Sequence, residues 1–270
     1  MKYNYEERIA VLDHGYVYVV DRMGDDLSIE RSARVSYQKE TRHIRTTRGL
    51  LRYLMRHRHT TPYESCVITL GMRIPIFVAR QLVRHRMQSI NEESARYSVV
   101  RDEFYIPDSI NLQSNNNKQG RGDALPEEEA DEVREMMRRA VTESYDLYEG
   151  LIKKGVAREL SRIILPLTAY TEWHTTMNVH NLLHLLALRM DPHAQLETRL
   201  FANAIAEIVK EWLPLTWEAF EDYRLYAKGF SRMEMELLKK LIDIDALRSL
   251  LASDQTMERR EHSEFLEKLC

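Results

Sequence analysis

The segment Arg84–Tyr97 concentrates more reactive side chains than a solvated surface requires. It contains four cations or potential cations, two carboxylates and two serine hydroxyls. An arginine guanidinium is a planar fork that matches a phosphate in a bidentate way, and Gln or Glu can bind the polar edge of a base or a sugar hydroxyl. We therefore predict a phosphorylated nucleotide as the ligand of this segment.

The surrounding pattern predicts how these side chains are positioned. Pro75 marks the boundary of an element, and the apolar stripe that follows predicts a helix over Ile76–Arg86 with Gln81, Arg84 and His85 on its other face. After this helix, the residues 92, 94 and 96 are spaced two apart. If that segment is extended, its alternate side chains point the same way, and a carboxylate, a hydroxyl and a guanidinium converge on one ligand.

Composition narrows the class of protein. The chain has 270 residues, 44% of them hydrophobic, which is ample for the core of one large domain or two small ones. Its net charge of -3 argues against a general nucleic-acid coat, so the arginines near position 84 indicate a local anion pocket. The sequence shows no signal peptide and no apolar run that could span a bilayer, and we predict a cytoplasmic protein without membrane partners.

The remaining elements predict an α+β fold, a helix-rich single domain around a small, mainly antiparallel sheet. Three regions alternate or are rich in Thr and aromatic residues as strands do: Arg8–Asp21, Ser65–Ile74 and Thr168–Asn178. Helical periodicity is present over Leu27–Ser36, Thr41–Arg56, Ile76–Arg86, Glu127–Lys154, Ala157–Ile164, Val179–Met190 and Ala194–Trp212.

Two segments lie outside these predicted strands and helices. Residues 111–122 are polar, rich in turn residues and without periodicity, which predicts a mobile loop. From about Lys228 to Cys270 the chain is charged and helical, and its leucines form an apolar stripe that we expect to pack on the core or on a neighbouring subunit. The stripe consists of Leu237, Leu238, Leu241, Ile242, Leu247, Leu250 and Leu251.

The order of residue types in Arg84–Tyr97 resembles the signature of the flavin-dependent thymidylate synthases. That signature is Arg-His-Arg, two residues, Ser, one residue, Asn-Glu, one residue, Ser, one residue, Arg-Tyr, and every specified position is met. The resemblance covers roughly residues 30 to 225 and includes the segments 33–36, 59–64, 104–107, 161–167 and 188–195. It implies a catalytic domain at 1–227, followed by a helical C-terminal extension at 228–270.

The family implies a specific reaction. Deoxyuridine monophosphate (dUMP) is reductively methylated to dTMP, with methylene-tetrahydrofolate as carbon donor, FAD as hydride carrier and NADPH as reductant, and without a covalent enzyme nucleophile. The residues agree with the absence of a covalent enzyme nucleophile. Cys66 alternates with apolar residues in a strand, where a buried small side chain is more common than a nucleophile, and Cys270 is terminal. Ser89 and Ser94 lack an orienting base and a third residue.

Site residues follow from the resemblance position by position. Arg189 matches the family's activating arginine, and a fixed cation there would stabilise charge on the uracil ring. An ion pair with Asp191 is the alternative role for this residue. The dUMP-binding residues would be Gln81, Leu82, Val83, Arg84, Glu92, Glu93, Ser94, Ala95, Arg96, Arg162 and Arg189. The flavin-binding residues would be Ser36, Thr61, Arg84, His85, Arg86, Glu92, Asn178, Val179, His180 and His184.

Other interpretations of the same residues stay open at this stage. His180 and His184 lie one helical turn apart and could bind a metal, but no catalytic Glu or third ligand accompanies them, and we predict no metal. A different flavin reductase, or a nucleotide or RNA sensor built on Arg84–Tyr97, would also use an arginine-rich segment. No Gly-rich phosphate loop supports either class. The family's homotetramers imply that sites are shared between subunits.

Overall fold

The centre of the molecule is an antiparallel sheet. The computed structural model describes residues 7–35 and 46–269. In this part of the chain the strands are β1 Ile9–Val11, β2 Gly15–Met23, β3 Val67–Pro75, β4 Ser89–Glu92, β5 Asn111–Gln113, β6 Arg121–Ala124 and β7 Tyr170–Asn178. Five of them form one sheet in the order β1-β2-β3-β7-β4, and every neighbouring pair is antiparallel.

Helices surround this sheet, and most of their bounds agree with the periodicity of the sequence. They are α1 Asp26–Arg34, α2 Thr47–Arg56, α3 Thr61–Glu64, α4 Ile76–Leu82, α5 Glu127–Lys153, α6 Arg158–Ser161, α7 Val179–Arg189, α8 Leu196–Trp212, α9 Pro214–Phe220, α10 Arg232–Leu241, α11 Ile244–Ser253 and α12 Arg259–Leu269. A 3-10 turn at Arg162–Ile164 follows α6, and a π-helical turn at Glu221–Leu225 follows α9. The predicted α+β fold is confirmed.

The core lies between the sheet and the helices α7 and α8. Alternate side chains of β3, from Ile68 to Ile74, are buried because successive residues of a strand point to opposite faces. They join Leu182 and Leu186 of α7 and Phe201 of α8 in one apolar cluster. This packing fixes α7 against the sheet, and α7 carries several of the candidate site residues.

Two sequence predictions near the site were wrong. The helix predicted over Ile76–Arg86 ends at Leu82, because the chain must turn there to pair β4 with β7. The extended segment ends at Glu92, and the backbone N–H of Tyr97 donates to the carbonyl of Ser94 (2.9 Å) in a turn. The side chains at positions 92, 94 and 96 therefore do not line one face of a strand.

Two further predictions need correction. The segment 111–122 is not an irregular loop but most of the β5–β6 hairpin, in which Gln113 pairs with Arg121. Cross-strand hydrogen bonds of this kind do not depend on apolar periodicity, so a polar hairpin shows no alternation in its sequence. The helix predicted over Ala157–Ile164 is split between α6 and the 3-10 turn.

The leucine stripe of residues 228–270 does not pack on the core of the same chain. Leu251 is buried, but Leu237, Leu241 and Leu250 are each more than half exposed. Contact with the rest of the molecule is instead made by charged side chains of α12, which meet α2. The neighbouring-subunit alternative for the stripe stays a prediction, as does the division of domains between residues 227 and 228.

Candidate active site

Arg189 lies at the C-terminal end of α7, and two hydrogen bonds hold its guanidinium. Its Nε donates to Nε2 of His85 (2.9 Å), and its terminal nitrogen donates to the carbonyl of Gln81 (3.0 Å). The alternative role predicted for Arg189, an ion pair with Asp191, is wrong among the described residues. Asp191 accepts from the backbone and the ring of His193 instead.

The contact with Arg189 also determines the state of His85. An arginine can only donate, so Nε2 of His85 accepts and its ring proton lies on Nδ1. Burial, followed by the charges of Arg189 and His184, lowers the pKa of His85 to about 4. The ring is therefore neutral at physiological pH, and it serves as a fixed acceptor that orients the guanidinium.

A cavity of about 500 Å³ opens beside this pair. Its lining consists of Arg84, His85, Arg86, Met87, Gln88, Met177, Asn181, His184, Leu188 and Arg189. Arg84 and Arg86 are exposed, and neither has a carboxylate partner within residues 7–35 and 46–269. Burial, followed by the charge of Arg84, lowers the pKa of Arg189, although an arginine stays protonated.

The chemistry of this lining fits a flavin nucleotide or a nucleoside monophosphate. Guanidinium groups suit phosphate oxygens, the amide of Asn181 suits the polar edge of a ring, and Met87, Met177 and Leu188 offer apolar surface to its face. The amide of Gln88 is held in the wall, because it donates to the carbonyl of Leu82 and accepts from the hydroxyl of Thr175. The volume also falls within the range of about 300–1,000 Å³ that is usual for small-molecule sites. The cavity thus combines an uncompensated positive charge with a surface for a flat ring.

A second, narrower cleft lies next to this cavity along α7. It is lined by Leu54, Met55, Arg58, His59, Thr60, Tyr63, His180, Leu183, His184, Phe220 and Arg224. His184 lines both spaces, and its ring lies 6.0 Å from that of His85. Burial, the largest cause, and the charges of Arg224 and His184 lower the pKa of His180, against the opposing effect of Glu64. The two cavities are thus neighbours joined at His184.

Some predicted flavin residues have structural roles in α7. The side chain of Asn178 caps the helix by accepting from the backbone N–H of Asn181 (2.9 Å). Val179 is fully buried and donates its backbone N–H to Cys66, so its side chain faces the core. Thr61 begins α3 and is exposed beside the narrow cleft, whereas Ser36 lies outside the described residues.

The predicted phosphate residues form a separate group against α6. Arg96 pairs with Glu159 (3.2 Å), and Arg158 donates to the carbonyl of Tyr97 (2.6 Å). Arg162 follows α6 directly and is exposed. Ser94 accepts from the backbone of Arg96. None of Ser94, Arg96 and Arg162 lines the cavity at Arg189.

The strand β4 separates the residues that line the cavity at Arg189 from the group that lies against α6. It rises about 3.3 Å per residue, so its Glu92 end lies roughly 10 Å beyond its Ser89 end. Glu92 accepts from the hydroxyl of Thr171 (2.7 Å), and the side chain of Glu93 accepts from the backbone of Glu172. One described chain therefore does not bring all the predicted dUMP residues together.

The other predicted dUMP residues are placed as follows. Gln81 donates its side-chain amide to Gln195 and its carbonyl accepts from Arg189. Leu82 is fully buried, Val83 packs partly against the core, and Ala95 lies in the turn after Glu93. The side chain of Leu82 cannot reach a ligand without leaving the core, so only its backbone is available.

Comparison with known proteins identifies the family. The family model described as Thymidylate synthase complementing protein matches residues 18–215. A flavin-dependent thymidylate synthase from Gluconobacter oxydans (strain 621H) is 47% identical over 260 residues, which cover 94% of this chain and 85% of that protein. Another, from Rickettsia prowazekii (strain Madrid E), is 44% identical over 275 residues and covers 96% and 92%. The chain belongs to the flavin-dependent thymidylate synthase family.

Solved structures agree with this membership. The UMP/dUMP methylase PolB from Streptomyces cacaoi, bound with 5-Br UMP, superposes with a TM-score of 0.73 at 34% identity. The same methylase bound with 5-Br dUMP gives a TM-score of 0.72 at 33% identity, and both alignments cover 82% of this chain and 100% of the other. The chain is accordingly a methyltransferase of the flavin-dependent thymidylate synthase family, for which FAD is the implied cofactor.

The described part of the chain, residues 7–35 and 46–269, has no feature typical of a membrane span or of a metal site. No helix in this part of the chain has both the length and the apolar character needed to cross a membrane. Within residues 7–35 and 46–269, no group of three His, Cys, Asp or Glu side chains is arranged to bind a metal.

Sequence reasoning did not assign several residues that line the two cavities. His59 and Thr60 lie in a segment that carries the family resemblance, which is the signal that could have found them. Asn181 could have been found one turn before His184 on the same helix. Arg224 lies in the π-helical turn after α9, and no local pattern marks it. It reaches the narrow cleft only because α9 packs on α2.

Proposed function

We propose that this chain converts dUMP to dTMP, with methylene-tetrahydrofolate as carbon donor and NADPH as reductant. When bound, FAD supplies the hydride chemistry that the side chains lack. The observation that carries the proposal is the guanidinium of Arg189, which is held by His85 and Gln81 at the wall of a cavity rich in arginine. The side chains of the protein would bind and orient dUMP and the flavin and would polarise the uracil ring.

Arg189 is the residue to which we assign catalysis. An arginine has five N–H donors, and the two bonds described leave others available for a uracil oxygen or ring nitrogen. Because the guanidinium is already oriented, little reorganisation is needed when charge develops on the ring. The neutral His85 assists by accepting from Arg189 without adding a competing positive charge.

The proposed reaction uses no thiolate of the enzyme. Cys66 is fully buried directly before β3, and its thiol donates to the carbonyl of Asp25 (3.6 Å). Burial, the largest cause, raises the pKa of this thiol. A buried thiol with a raised pKa is a poor nucleophile, which supports activation of the uracil by Arg189 in place of a covalent adduct.

Flavin and dUMP would occupy neighbouring parts of the site. The flavin would contact Arg84, His85 and Arg86 at the cavity and Thr61, His180 and His184 at the narrow cleft. The group formed by Ser94, Arg96 and Arg162 would bind the phosphate of dUMP. Because this group does not line the cavity of its own chain, we propose that a partner subunit of a homotetramer supplies it.

Subunit sharing can be tested by complementation. An Arg189→Ala chain and an Arg96→Lys chain would each be impaired alone. If each site takes these residues from different chains, mixing the two variants restores some sites in which both are wild type. Mixed assemblies that recover no thymidylate formation would contradict the sharing of sites, while leaving the reaction itself in place.

The reaction is tested with purified protein. A yellow protein with a flavin spectrum should release tritium from dUMP labelled at ring carbon 5 when methylene-tetrahydrofolate and NADPH are added. Cys66→Ala should retain this activity, because no thiolate attack is involved. Colourless protein that retains RNA would favour the sensor, and loss of activity in a folded Cys66→Ala protein would favour a cysteine mechanism. A cytoplasmic location stays a prediction from the sequence.

A further inference from the structure

The helix α12 is attached to α2 by buried charges. Glu261 accepts from Nε of Arg52 (2.8 Å) and from a terminal nitrogen of Arg56 (3.0 Å). The side chains of Arg52 and Glu261 are only 3% and 2% exposed. Burying such charges is unfavourable unless each has a partner, so the position of α12 on α2 is strongly determined.

A second carboxylate of α12 reaches the end of α2. Glu264 accepts from Nε of Arg56 (2.5 Å), from the ring of His57 (2.9 Å) and from Nε of Arg260 (2.9 Å). Burial alone would raise the pKa of Glu264, but these donors outweigh it and lower the pKa to about 2. Glu264 is therefore charged at neutral pH and binds the last turn of α2 together with His57, its C-cap.

From the end of α2 the contacts continue to the narrow cleft. The guanidinium of Arg260 lies 4.4 Å from the ring centre of Tyr53. That ring lies 4.3 Å from the ring of His57 and 5.7 Å, edge to face, from the ring of His59. His59 lines the cleft. A continuous series of packed side chains thus joins α12 to the wall of the cleft.

The turn at this wall has a backbone conformation that needs support. Arg58 has a φ of 57°, in the left-handed region that residues other than glycine adopt at a cost. Arg58, His59 and Thr60 all line the cleft, and Thr61 begins the next helix. The backbone N–H groups of Arg58 and His59 donate to the carbonyls of Met55 and Leu54 and hold this turn from within. The helix α12 acts on the turn through Tyr53 and His57, which precede it.

We propose that Glu261 and Glu264 are positioning residues for the flavin site: α12 holds the end of α2 and so sets the turn 58–61 against α7. The proposal rests on the assignment of the narrow cleft to the flavin. It gives a role to residues beyond position 215, where the family match ends. The exposed leucines of α10 and α11 take no part in it.

The test compares two identical chemical changes within the C-terminal extension. Glu264→Gln removes the charge that binds Arg56, His57 and Arg260. Glu236→Gln removes an exposed charge that pairs with Arg232 on α10, away from α2. FAD affinity is measured by fluorescence on dilution of the flavin-loaded full-length proteins, and thermal unfolding is followed without FAD.

We expect Glu264→Gln to weaken FAD binding about tenfold and to change the visible circular dichroism of the bound flavin, whereas Glu236→Gln does neither. Glu264→Asp keeps the charge and should recover part of both signals. Unchanged FAD affinity and spectrum in a folded Glu264→Gln protein, or equal loss in Glu236→Gln, would overturn the proposal. If Glu264→Gln does not fold, Arg260→Gln, which removes the cation over Tyr53 and one of the three donors to Glu264, is judged by the same two readouts.

A separate variant distinguishes this proposal from the assignment of the flavin site. His180→Ala alters a residue that lines the narrow cleft and not the larger cavity, without touching α12. If His180→Ala loses FAD and Glu264→Gln does not, the assignment of the cleft to the flavin stands and the role of α12 is wrong. If His180→Ala binds FAD normally, the assignment of the cleft to the flavin is wrong, and the role of α12 falls with it.

Discussion

The molecule has two clusters of arginines with opposite surroundings. On α2, Arg48, Arg52 and Arg56 follow one another at intervals of four residues and face five carboxylates. These are Glu218, Asp222, Glu258, Glu261 and Glu264. At the cavity, Arg84, Arg86 and Arg189 face none within the described residues. The number of facing carboxylates therefore separates an arginine that joins elements from one that is available to an anion.

Local sequence does not distinguish the two clusters. A helix places residues four apart on one face, so the spacing on α2 is as suggestive of a phosphate site as the segment Arg84–Tyr97. The carboxylates that face the α2 cluster come from α9, the π-helical turn, α12 and the residue directly before α12, more than 160 residues later in the chain. Folding brings these carboxylates to α2, and within residues 7–35 and 46–269 it brings none to the cavity-lining arginines.

The largest expected effect is on stability, at Arg52. Removing one partner of a buried ion pair leaves an uncompensated charge, so Arg52→Ala should lower the free energy of unfolding by about 3–5 kcal/mol. Arg48→Ala, at a partly exposed site, should cost about 1 kcal/mol or less. Urea unfolding of the FAD-free proteins measures both. Equal losses in the free energy of unfolding would mean that burial does not determine how much each arginine contributes to stability.

The next effect is on turnover, at Arg189. Loss of one oriented charge-stabilising donor costs about 3 kcal/mol in the transition state, so Arg189→Ala should reduce tritium release roughly a hundredfold or more while FAD stays bound. Arg199→Ala is the control, because Arg199 is half-buried on α8, does not line the cavity, and donates its side chain to the carbonyl of Pro192. Near-normal turnover in Arg189→Ala would remove the catalytic role.

A smaller effect is expected at Arg96, whose charge is shared with Glu159. Lysine keeps the charge but loses the planar fork, so Arg96→Lys should weaken dUMP roughly tenfold and leave unphosphorylated deoxyuridine nearly unaffected. Glu159→Gln, which frees Arg96, should not weaken dUMP. Titration calorimetry on flavin-loaded protein decides the matter, and equal weakening of both ligands would mean that Arg96 supports the fold or the flavin.

The smallest effect concerns the pH dependence of His85. Its pKa in the folded protein, about 4, is below its ordinary value of 6.5. The neutral ring therefore contributes stability that is complete above pH 6.5 and is lost as the pH falls towards 4. In Arg189→Ala one cause of the depression is gone, and the pKa should rise towards 6.5, whereas Arg199→Ala should leave it near 4. A wild-type ring that titrates near 6.5 by NMR would contradict the buried contact.

Regular elements were predictable where burial imposes a period on the residues. The alternation from Cys66 to Ile74 predicted β3, and apolar periodicity predicted α7 and α8 nearly to the residue. The hairpin at 111–124 was missed because its cross-strand bonds place no apolar side chains at a regular interval. The helix through Arg86 was predicted too long because apolar periodicity continued past the point where pairing with β7 turns the chain.

The candidate site also has features that the sequence predicted and features that only folding determined. The order of residue types from Arg84 to Tyr97 identified the family and the kind of ligand, because side-chain chemistry and spacing are properties of a short segment. Folding brought His85 to Arg189 from 104 residues away and lowered the pKa of its ring. Folding also separated Arg96 from the cavity and paired Arg52 with Glu261. Burial and charge partners depend on which distant segments pack together, so they cannot be obtained from spacing along the chain.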